Sequence, residues 1–265
     1  MQNYHRHSSY SNIYIADSAV MNEDYAKRAV EVGHKIISSV EHGWQGYYYQ
    51  TFELAKKYNL KFVFGAEAYW VKDRTEKDKT NCHIIILAKN ENGRRAINEV
   101  LSEANETGYY FRPRLDLDLL LSLPPKDVFV TTACIAFWKY DDIEEIVLKL
   151  KEHFQNNLML EIQYHNTPQQ IALNKKIKKI AYNNDIQMIV GLDSHYIYPE
   201  QSGDRQNLLE ANKVFYEDEE GWYMDYPDDN TIMQRFLGQG VFTKEEIQTA
   251  MDNTCLLYTS PSPRD

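Results

Sequence analysis

The strongest constraint on the fold is an alternation of short apolar runs with amphipathic stretches, which continues to about residue 200. Apolar runs of strand length occupy residues 36–40, 61–67, 82–88, 127–134, 158–162 and 187–191. Helical periodicity fills residues 22–33, 44–58, 90–105, 143–154 and 168–183. Apolar strands alternating with helices are typical of parallel sheets that are covered on both faces, so we predict an α/β protein. With an opening strand at residues 4–7 there are about seven such units, which favours a closed or distorted barrel.

The pattern changes beyond Pro199, and we place a boundary within residues 201–212. An acidic run at residues 217–220 is followed by two short helical stretches, at residues 230–237 and 243–254. Residues 257–265 have no apolar period and resemble the translated read-through of a sequencing adapter. We therefore predict a barrel domain over residues 1–212, a mostly helical segment over 213–255 and a non-native tail over 256–265.

Composition limits the environment and the partners. Cys82, Cys134 and Cys255 are odd in number and unevenly spaced, which argues against a disulfide framework and for a reducing compartment. No signal peptide and no apolar run of membrane-spanning length is visible, so we expect a cytoplasmic protein without a membrane partner. A net charge of -10 disfavours non-specific wrapping of nucleic acid, but bound cations would reverse that charge locally.

Two histidines open the chain. In an extended strand alternate side chains share a face, so His5 and His7 would point the same way, about 6.5 Å apart along the strand. That distance suits a metal cluster, although two histidines near an N-terminus are also commonly exposed residues without a ligand. The pair gains weight from the rest of the chain.

Other residues of the metal-binding types lie at the ends of predicted strands. Those at or near C-terminal ends are Glu41, His42, Glu67, Cys134, Asp193 and His195, whereas His83 lies at a strand start. In (β/α) barrels the C-terminal strand ends surround one pocket, which predicts that these groups converge. Each residue alone also has a structural interpretation, as a hydrogen-bonded core histidine, a small apolar cysteine or a helix-capping glutamate.

The set as a whole calls for cations, because several ionisable groups buried together without a counter-charge would each cost several kcal/mol. Imidazole, carboxylate and one thiolate suit Zn²⁺, with Mn²⁺ or Fe as alternatives. About nine ligands exceed the needs of one ion, which predicts two to three divalent ions about 3.5–4 Å apart. A multinuclear site of this kind indicates phosphoester hydrolysis.

These residues resemble the PHP (polymerase and histidinol phosphatase) domain, a distorted seven-stranded barrel with a trinuclear metal site. The similarity includes the segments 5–7, 41–43, 65–69, 83–90 and 193–196 together with Asp17 and Cys134. By position, it implies the metal ligands His5, His7, Asp17, His42, Glu67, His83, Cys134, Asp193 and His195. Of these, His42, Asp193 and His195 are predicted to be catalytic.

More narrowly, residues 108–116, residues 160–165 and the use of cysteine at Cys134 resemble the N-terminal PHP domain of bacterial and phage DNA polymerase III alpha subunits. Residues 225–254 resemble the helices that lead into the polymerase region. The resemblance implies a fragment of a replicative polymerase, with a metal-dependent 3′–5′ exonuclease activity. Its partners would be the 3′ end of DNA, the remainder of the polymerase chain and replisome subunits. We do not expect the polymerase site itself in this chain, because no acidic pair on a strand follows residue 212.

Three residues are predicted to bind substrate. Arg112 and Arg114 would clamp phosphate at the barrel mouth, or alternatively belong to a solvated loop around Pro113. His165 is a spare histidine near the pocket, either a residue that supports the site or a proton donor. Glu41 stands where the family has aspartate, and we expect it to orient His42.

Two other functions remain open at this point. The domain could be a non-catalytic scaffold of the polymerase, which the intact ligand set disfavours. It could also be a free-standing phosphatase of the histidinol-phosphatase type, which the segment 109–116 and the chain beyond residue 212 disfavour.

Overall fold

The computed structural model describes residues 1–79, 82–133, 135–216 and 220–259. The strands in this part of the chain are β1 (Ile36–Ser38), β2 (Lys61–Val63), β3 (Gly65–Trp70), β4 (Cys82–Ala88), β5 (Arg114–Leu115), β6 (Val128–Thr132), β7 (Leu158–Ile162) and β8 (Gln187–Val190). Its α-helices are α1 (Asn22–Glu31), α2 (Tyr48–Lys57), α3 (Glu91–Thr107), α4 (Leu117–Leu121), α5 (Ile143–Phe154), α6 (Pro168–Asn183), α7 (Ser202–Ala211), α8 (Asp229–Gln239), α9 (Lys244–Asn253) and α10 (Leu256–Thr259). The α/β class and the alternation of strands and helices are confirmed.

The sheet is mixed, and here the predicted all-parallel arrangement is wrong. Strands β6, β7 and β8 are parallel neighbours, and β1 pairs in parallel with β2. Strand β4, however, runs antiparallel to both β3 and β6. Only residues 71–81 connect β3 to β4. A parallel connection needs a crossover of about a dozen residues or more, usually a helix, so this short link reverses the chain direction.

The opening segment, predicted as a strand, is not one. Arg6 forms an isolated parallel bridge with Ser194, beyond the end of β8. On its other side the Ser38 hydroxyl of β1 donates to the Tyr4 carbonyl at 2.8 Å. The segment therefore lies between β8 of the six-stranded sheet and β1 of the two-stranded sheet, where it links the two sheets of the distorted barrel.

The strands are buried on both faces, as the apolar runs predict. On β4, Ile84 and Ile86 belong to the large core cluster shared with the helices, whereas Ile85 and Leu87 belong to a smaller cluster with Tyr4. Successive side chains of a strand point to opposite faces, so the smaller cluster fills the barrel interior. This plug of apolar residues lies below the polar groups at the strand ends.

The C-terminal helices pack on the barrel. Helix α9 lies along β8, and the Asn253 amide donates to the Met188 carbonyl at 2.8 Å. Leu257 of α10 is buried in the smaller core cluster. The proposed boundaries at residues 212 and 255 remain predictions. Within the described ranges, every helix is too short or too polar to cross a membrane.

Candidate metal centre

One end of the barrel holds a buried cluster of histidines and carboxylates. His42 follows β1, Glu67 lies on β3, and Asp193 and His195 follow β8. His83, at the start of β4, reaches the same end because β4 is antiparallel and pairs His83 with Tyr69. Eight of the nine predicted ligands are brought together here, the remaining three being His5, His7 and Asp17. Cys134 lies outside the described residues.

Seven of the eight side chains form three overlapping groups, and Asp17 lies beside one of them. In the first, Nε2 of His5 lies 3.2 Å from Glu67 Oε1 and 3.1 Å from Asp193 Oδ1. His7 Nε2 joins this group at 3.4 Å from Glu67 Oε2 and 3.2 Å from Asp193 Oδ1. The ligand atoms of this group all lie within 4.8 Å of one another.

The other two groups share His42. One joins His7, His42 and His195, and Asp17 Oδ2 lies 3.4 Å from Nε2 of both His42 and His195. The other joins His42, Glu67 and His83, with His83 Nδ1 at 3.0 Å from Glu67 Oε1. Since His7, His42 and Glu67 each belong to two groups, the three groups are parts of one centre.

Buried polar atoms without hydrogen-bond partners test whether metal ions fit. Among the described residues these include His7 Nε2, His42 Nε2 and Asp17 Oδ1, whereas His42 Nδ1 and Glu67 Oε2 lie 2.5 Å apart as an ion pair. An unsatisfied buried polar atom costs about 1–3 kcal/mol, so three in one place need an explanation. Ligand atoms bound tetrahedrally at about 2.0–2.1 Å lie about 3.3–3.4 Å apart, close to the separations seen here. The donor set and its spacing fit divalent cations.

The charges of the cluster favour the unprotonated, metal-binding forms of Glu67 and His7 but not that of His42. Burial would raise the pKa of Glu67, but His83, His7 and His42 outweigh it and hold that pKa well below its usual value. Burial, together with the neighbouring His42, lowers the pKa of His7 to about 3. For His42 burial acts downward, yet Glu67 and Asp17 raise its pKa to about 9. His42 therefore holds a proton at neutral pH that a cation must displace.

Two histidines are fixed through Nδ1 by oxygen acceptors, which leaves Nε2 for a metal. His5 Nδ1 lies 2.8 Å from Glu161 Oε1, and His195 Nδ1 lies 2.9 Å from the Asp193 carbonyl. These oxygens can only accept, so both Nδ1 atoms donate. Such outer contacts orient metal-binding histidines and select their tautomer.

Glu161 was missed by sequence reasoning. Besides His5, its carboxylate accepts from the Tyr4 hydroxyl at 2.6 Å and from Gln163 Nε2 at 2.8 Å. A Cβ on Gly191 would stand 2.0 Å from the Glu161 Cδ, so the glycine makes room for this carboxylate. The available signal was a glutamate inside the apolar run of β7.

Glu41 supports a different histidine from the one predicted. Its carboxylate accepts from the Ser8 backbone N–H at 3.0 Å and from the Ser11 hydroxyl at 2.5 Å, and it pairs with Arg6 at 3.1 Å. Ser11 Oγ lies 3.1 Å from His7 Nδ1. Because the single hydroxyl proton is directed to Glu41, Ser11 accepts from His7. Glu41 therefore orients His7, and the prediction that it orients His42 is wrong.

The two arginines predicted to clamp phosphate differ sharply. Arg114 is buried, and its guanidinium donates to the carbonyls of Gly108, Glu76, Asp78 and Arg74 at 2.8–2.9 Å. These contacts use four of its five N–H groups, which indicates that Arg114 organises the loop.

Arg112 instead lies at the rim of the site. Its guanidinium stacks over the Tyr69 ring at 4.9 Å, and that ring is 5.2 Å from the His83 ring. A cation at this place can meet the charge of a phosphate that approaches the cluster.

His165 is buried beside the cluster. Its Nδ1 accepts from the Tyr223 N–H at 3.1 Å, so the ring proton is on Nε2, an atom without a hydrogen-bond partner among the described residues. Burial lowers the pKa of His165 to about 4, and the charges of Asp193, His195 and His5 also act on it. His165 is thus a neutral N–H donor at physiological pH.

Comparisons with known proteins agree with this geometry. The family model described as PHP domain matches residues 3–165. DNA polymerase III subunit alpha of Aquifex aeolicus is 30% identical over 215 residues, which cover 74% of this chain and 18% of that protein. The DNA-directed DNA polymerase of Bacillus phage SPbeta is 28% identical over 289 residues, with 87% and 22% covered.

The chain thus spans about a fifth of the length of these relatives. Among solved structures, an amidohydrolase from Chromobacterium violaceum matches with 13% identity and a TM-score of 0.49, over 73% of this chain and 87% of that one. That likeness is too distant to support any functional step.

Proposed function

The chain belongs to the PHP domain family, and from that premise we propose that it is a metal-dependent phosphoesterase that removes nucleotides from the 3′ end of DNA. We further propose that it is the N-terminal part of a replicative polymerase of the polymerase III alpha type. The observation that carries the proposal is the convergence of eight predicted ligands in one buried centre with three overlapping groups. The remainder of the polymerase chain and other replisome subunits would then be its partners, in the cytoplasm.

The three groups would hold two to three divalent ions, with Zn²⁺ favoured by the imidazole-rich set and Mn²⁺ or Fe as alternatives. Cys134 would complete the nine ligands. When bound, such ions polarise a phosphodiester and offset the negative charge that develops on the leaving oxygen. Asp17, Glu67 and Asp193 would contribute the anionic oxygens of the centre, and the histidines would contribute neutral ring nitrogens, Nε2 in His5, His7 and His195 and Nδ1 in His83.

Residues beside the ligands would handle the substrate. His165 offers its Nε2–H to a phosphate oxygen, because that donor has no partner among the described residues. Arg112 would bind the charge of the scissile or the next phosphate from the rim. Neither role requires a side-chain base.

A second candidate, a metal-stabilised scaffold without catalysis, is favoured by one observation. The side chains of His5, His7 and Glu67 are fully buried, as in structural metal sites. Asp193 and His83 are nevertheless 15% and 18% exposed, which leaves an opening to solvent. Catalysis needs such an opening, whereas a purely structural centre is closed.

Nuclease activity tests the proposal. The purified chain, loaded with Zn²⁺ or Mn²⁺ and checked for bound metal by inductively coupled plasma mass spectrometry, should shorten 5′-labelled single-stranded DNA from its 3′ end. Chelation and His42→Ala should each abolish the ladder of products. His153→Ala is the matched control, since this histidine contacts the Leu123 carbonyl outside the centre. Metal-loaded protein that leaves DNA ends and phosphate monoesters intact would establish the scaffold instead.

A further inference from the structure

Exposed aromatic side chains lie on two loops beside the metal centre. Tyr109 and Phe111 are 57% and 61% exposed on the loop before β5, and Tyr47 is 44% exposed on the loop that follows His42. Single exposed apolar residues are common, but exposed rings grouped beside a site indicate a binding surface.

Tyr69 links these rings to the metal centre. Its ring lies 5.2 Å from that of His83 and 5.9 Å from that of Tyr14. Arg112, the residue after Phe111, places its guanidinium 4.9 Å from the centre of the Tyr69 ring. The loop that carries Tyr109 and Phe111 therefore lies beside Tyr69, whose ring contacts the ligand His83.

The backbone holds Phe111 outward. Its φ is +61°, a conformation that a bulky residue adopts at a cost, inside a tight turn in which the Tyr110 N–H donates to the Arg112 carbonyl at 3.1 Å. Arg114 fixes the base of this loop through its carbonyl contacts. Strain of this kind tends to persist at binding and catalytic sites.

Cations are interleaved with the rings. Lys79 Nζ stands 4.5 Å from the centre of the Phe111 ring, and Arg112, the residue after Phe111, places its guanidinium over the Tyr69 ring. A partner protein would need carboxylates to match these cations, but the carboxylates of the nearby centre would repel them. A chain of phosphates with flat, apolar bases matches rings, cations and metal centre together.

The loop that follows His42 has the same character. Tyr47 has a φ of +61° and stacks on Tyr10 with the ring centres 3.8 Å apart. Trp44 Nε1 donates to the Tyr10 carbonyl at 2.8 Å, which ties this pair to the loop that carries His42.

We propose that Tyr109 and Phe111 form a base-stacking platform for the unpaired nucleotides of single-stranded nucleic acid, with Arg112 meeting the phosphate next to them. The inference rests on the proposed function for the reaction that follows binding. Because every base has a flat π-face, the platform selects unpaired over paired ends and tolerates any sequence.

Binding measurements test the platform independently of hydrolysis. Fluorescence anisotropy in the presence of a chelator would compare an oligothymidylate of about 12 nucleotides with an abasic strand of equal length. The wild-type chain should bind the oligothymidylate about 25- to 100-fold tighter. Tyr109→Ala and Phe111→Ala should each remove about five- to tenfold of that preference, and the double variant should bind both strands alike.

Two kinds of control separate stacking from folding. Phe111→Trp and Tyr109→Phe keep a ring and should keep the preference. Tyr182→Ala is the control at a distant site, because Tyr182 is 63% exposed at the end of α6. This helix end lies just before the start of β8 and therefore at the end of the barrel opposite the metal centre. The substitution should leave the preference for oligothymidylate unchanged. Thermal unfolding of each variant checks that the fold is retained.

The outcomes for the two proposals are distinguishable. Equal binding of thymidylate and abasic strands by a chain that digests DNA overturns the platform and leaves the nuclease intact. A base preference that depends on Tyr109 and Phe111 in a chain without hydrolysis supports the platform and overturns the nuclease. Loss of the preference in Tyr182→Ala would also overturn the platform, since it would show that the anisotropy change reports the fold.

Discussion

Replacing Glu161 by glutamine should weaken metal binding, although Glu161 is not itself one of the proposed metal ligands. Its Oε1 lies 2.8 Å from His5 Nδ1, and the carboxylate also accepts from Tyr4 and Gln163. The glutamine has the same shape and can still accept the His5 proton through its carbonyl oxygen. The substitution therefore removes chiefly the negative charge behind His5.

That charge governs how strongly His5 Nε2 can bind a cation. Burial lowers the pKa of His5, but Glu161 first and Asp193 second raise it well above the usual value. Loss of an outer partner of this kind costs about 10- to 100-fold in metal affinity, or about 1.4–2.7 kcal/mol. Because the glutamine keeps the hydrogen bond, we expect a loss near the lower limit.

Gly191→Ala perturbs the same carboxylate by a different route. The added Cβ would stand 2.0 Å from Glu161 Cδ, so the carboxylate must move away from His5. The hydrogen bond is then lost together with the favourable placement of the charge, and we expect a loss of affinity near the upper limit of about 100-fold.

Competition with a fluorescent zinc chelator at pH 7 would measure both variants, and mass spectrometry would give the number of ions bound. Glu99→Gln makes the same chemical change on the exposed side of α3 and should match the wild type. Affinities within about twofold of wild type in both Glu161→Gln and Gly191→Ala would refute the reasoning, because His5 would then not depend on Glu161 as a metal ligand.

Three further predictions follow from the site. His42→Ala and Glu67→Ala should each lower bound metal, and the double variant should lose about as much nuclease activity as either single one, because the ligands act as a unit; additive losses would contradict this. Zinc affinity should rise with pH up to about 9, since a cation must displace the proton that His42 holds below its raised pKa of about 9. Competition with a chelator from acid to alkaline pH measures this affinity, and an affinity that does not change with pH would contradict the prediction. Arg112→Ala should reduce the slope of the logarithm of the DNA-binding constant against the logarithm of the salt concentration by about 0.7, without changing the metal content. Arg114→Ala should instead lower the free energy of unfolding in urea by about 2–4 kcal/mol, because it removes the contacts to the loop carbonyls.

Much of the fold was predictable because a strand that is buried on both faces appears in the sequence as a continuous apolar run. Ile143–Phe154, Leu158–Ile162 and Pro168–Asn183 begin and end in the structure where the sequence pattern placed them. The apolar run at residues 61–67 instead became two strands, since β2 pairs with β1 whereas β3 pairs with β4. Apolar periodicity reports burial but does not specify which neighbour a strand takes.

The direction of β4 could not be read from its composition. Ile84, Ile85 and Ile86 are buried whether the strand runs parallel or antiparallel to its neighbours. The length of the link before it was the usable signal, and it also explains why His83 looked like an exception. An antiparallel strand begins where its parallel neighbours end, so a ligand at its start belongs to the same pocket.

The support of the site was harder to predict than its ligands. A strand end fixes where His42 or Asp193 must lie, whatever the surrounding loops do. The partner of each ligand depends on side chains from remote parts of the chain, as with Glu161 behind His5 and Ser11 between Glu41 and His7. The nine-ligand assignment remains a prediction, with eight of its members now placed in one cluster.

The arginine pair shows how far local spacing can be trusted. In a regular strand residues two apart share a face, so Arg112 and Arg114 would have had the same role. The left-handed turn at Phe111 interrupts the strand, and β5 begins only at Arg114, whose side chain is drawn inward to four loop carbonyls. Arg112 remains at the rim over Tyr69. One strained residue thus divides the pair into a group that builds the loop and a group that can meet phosphate, and the same residue presents the exposed ring of the proposed platform.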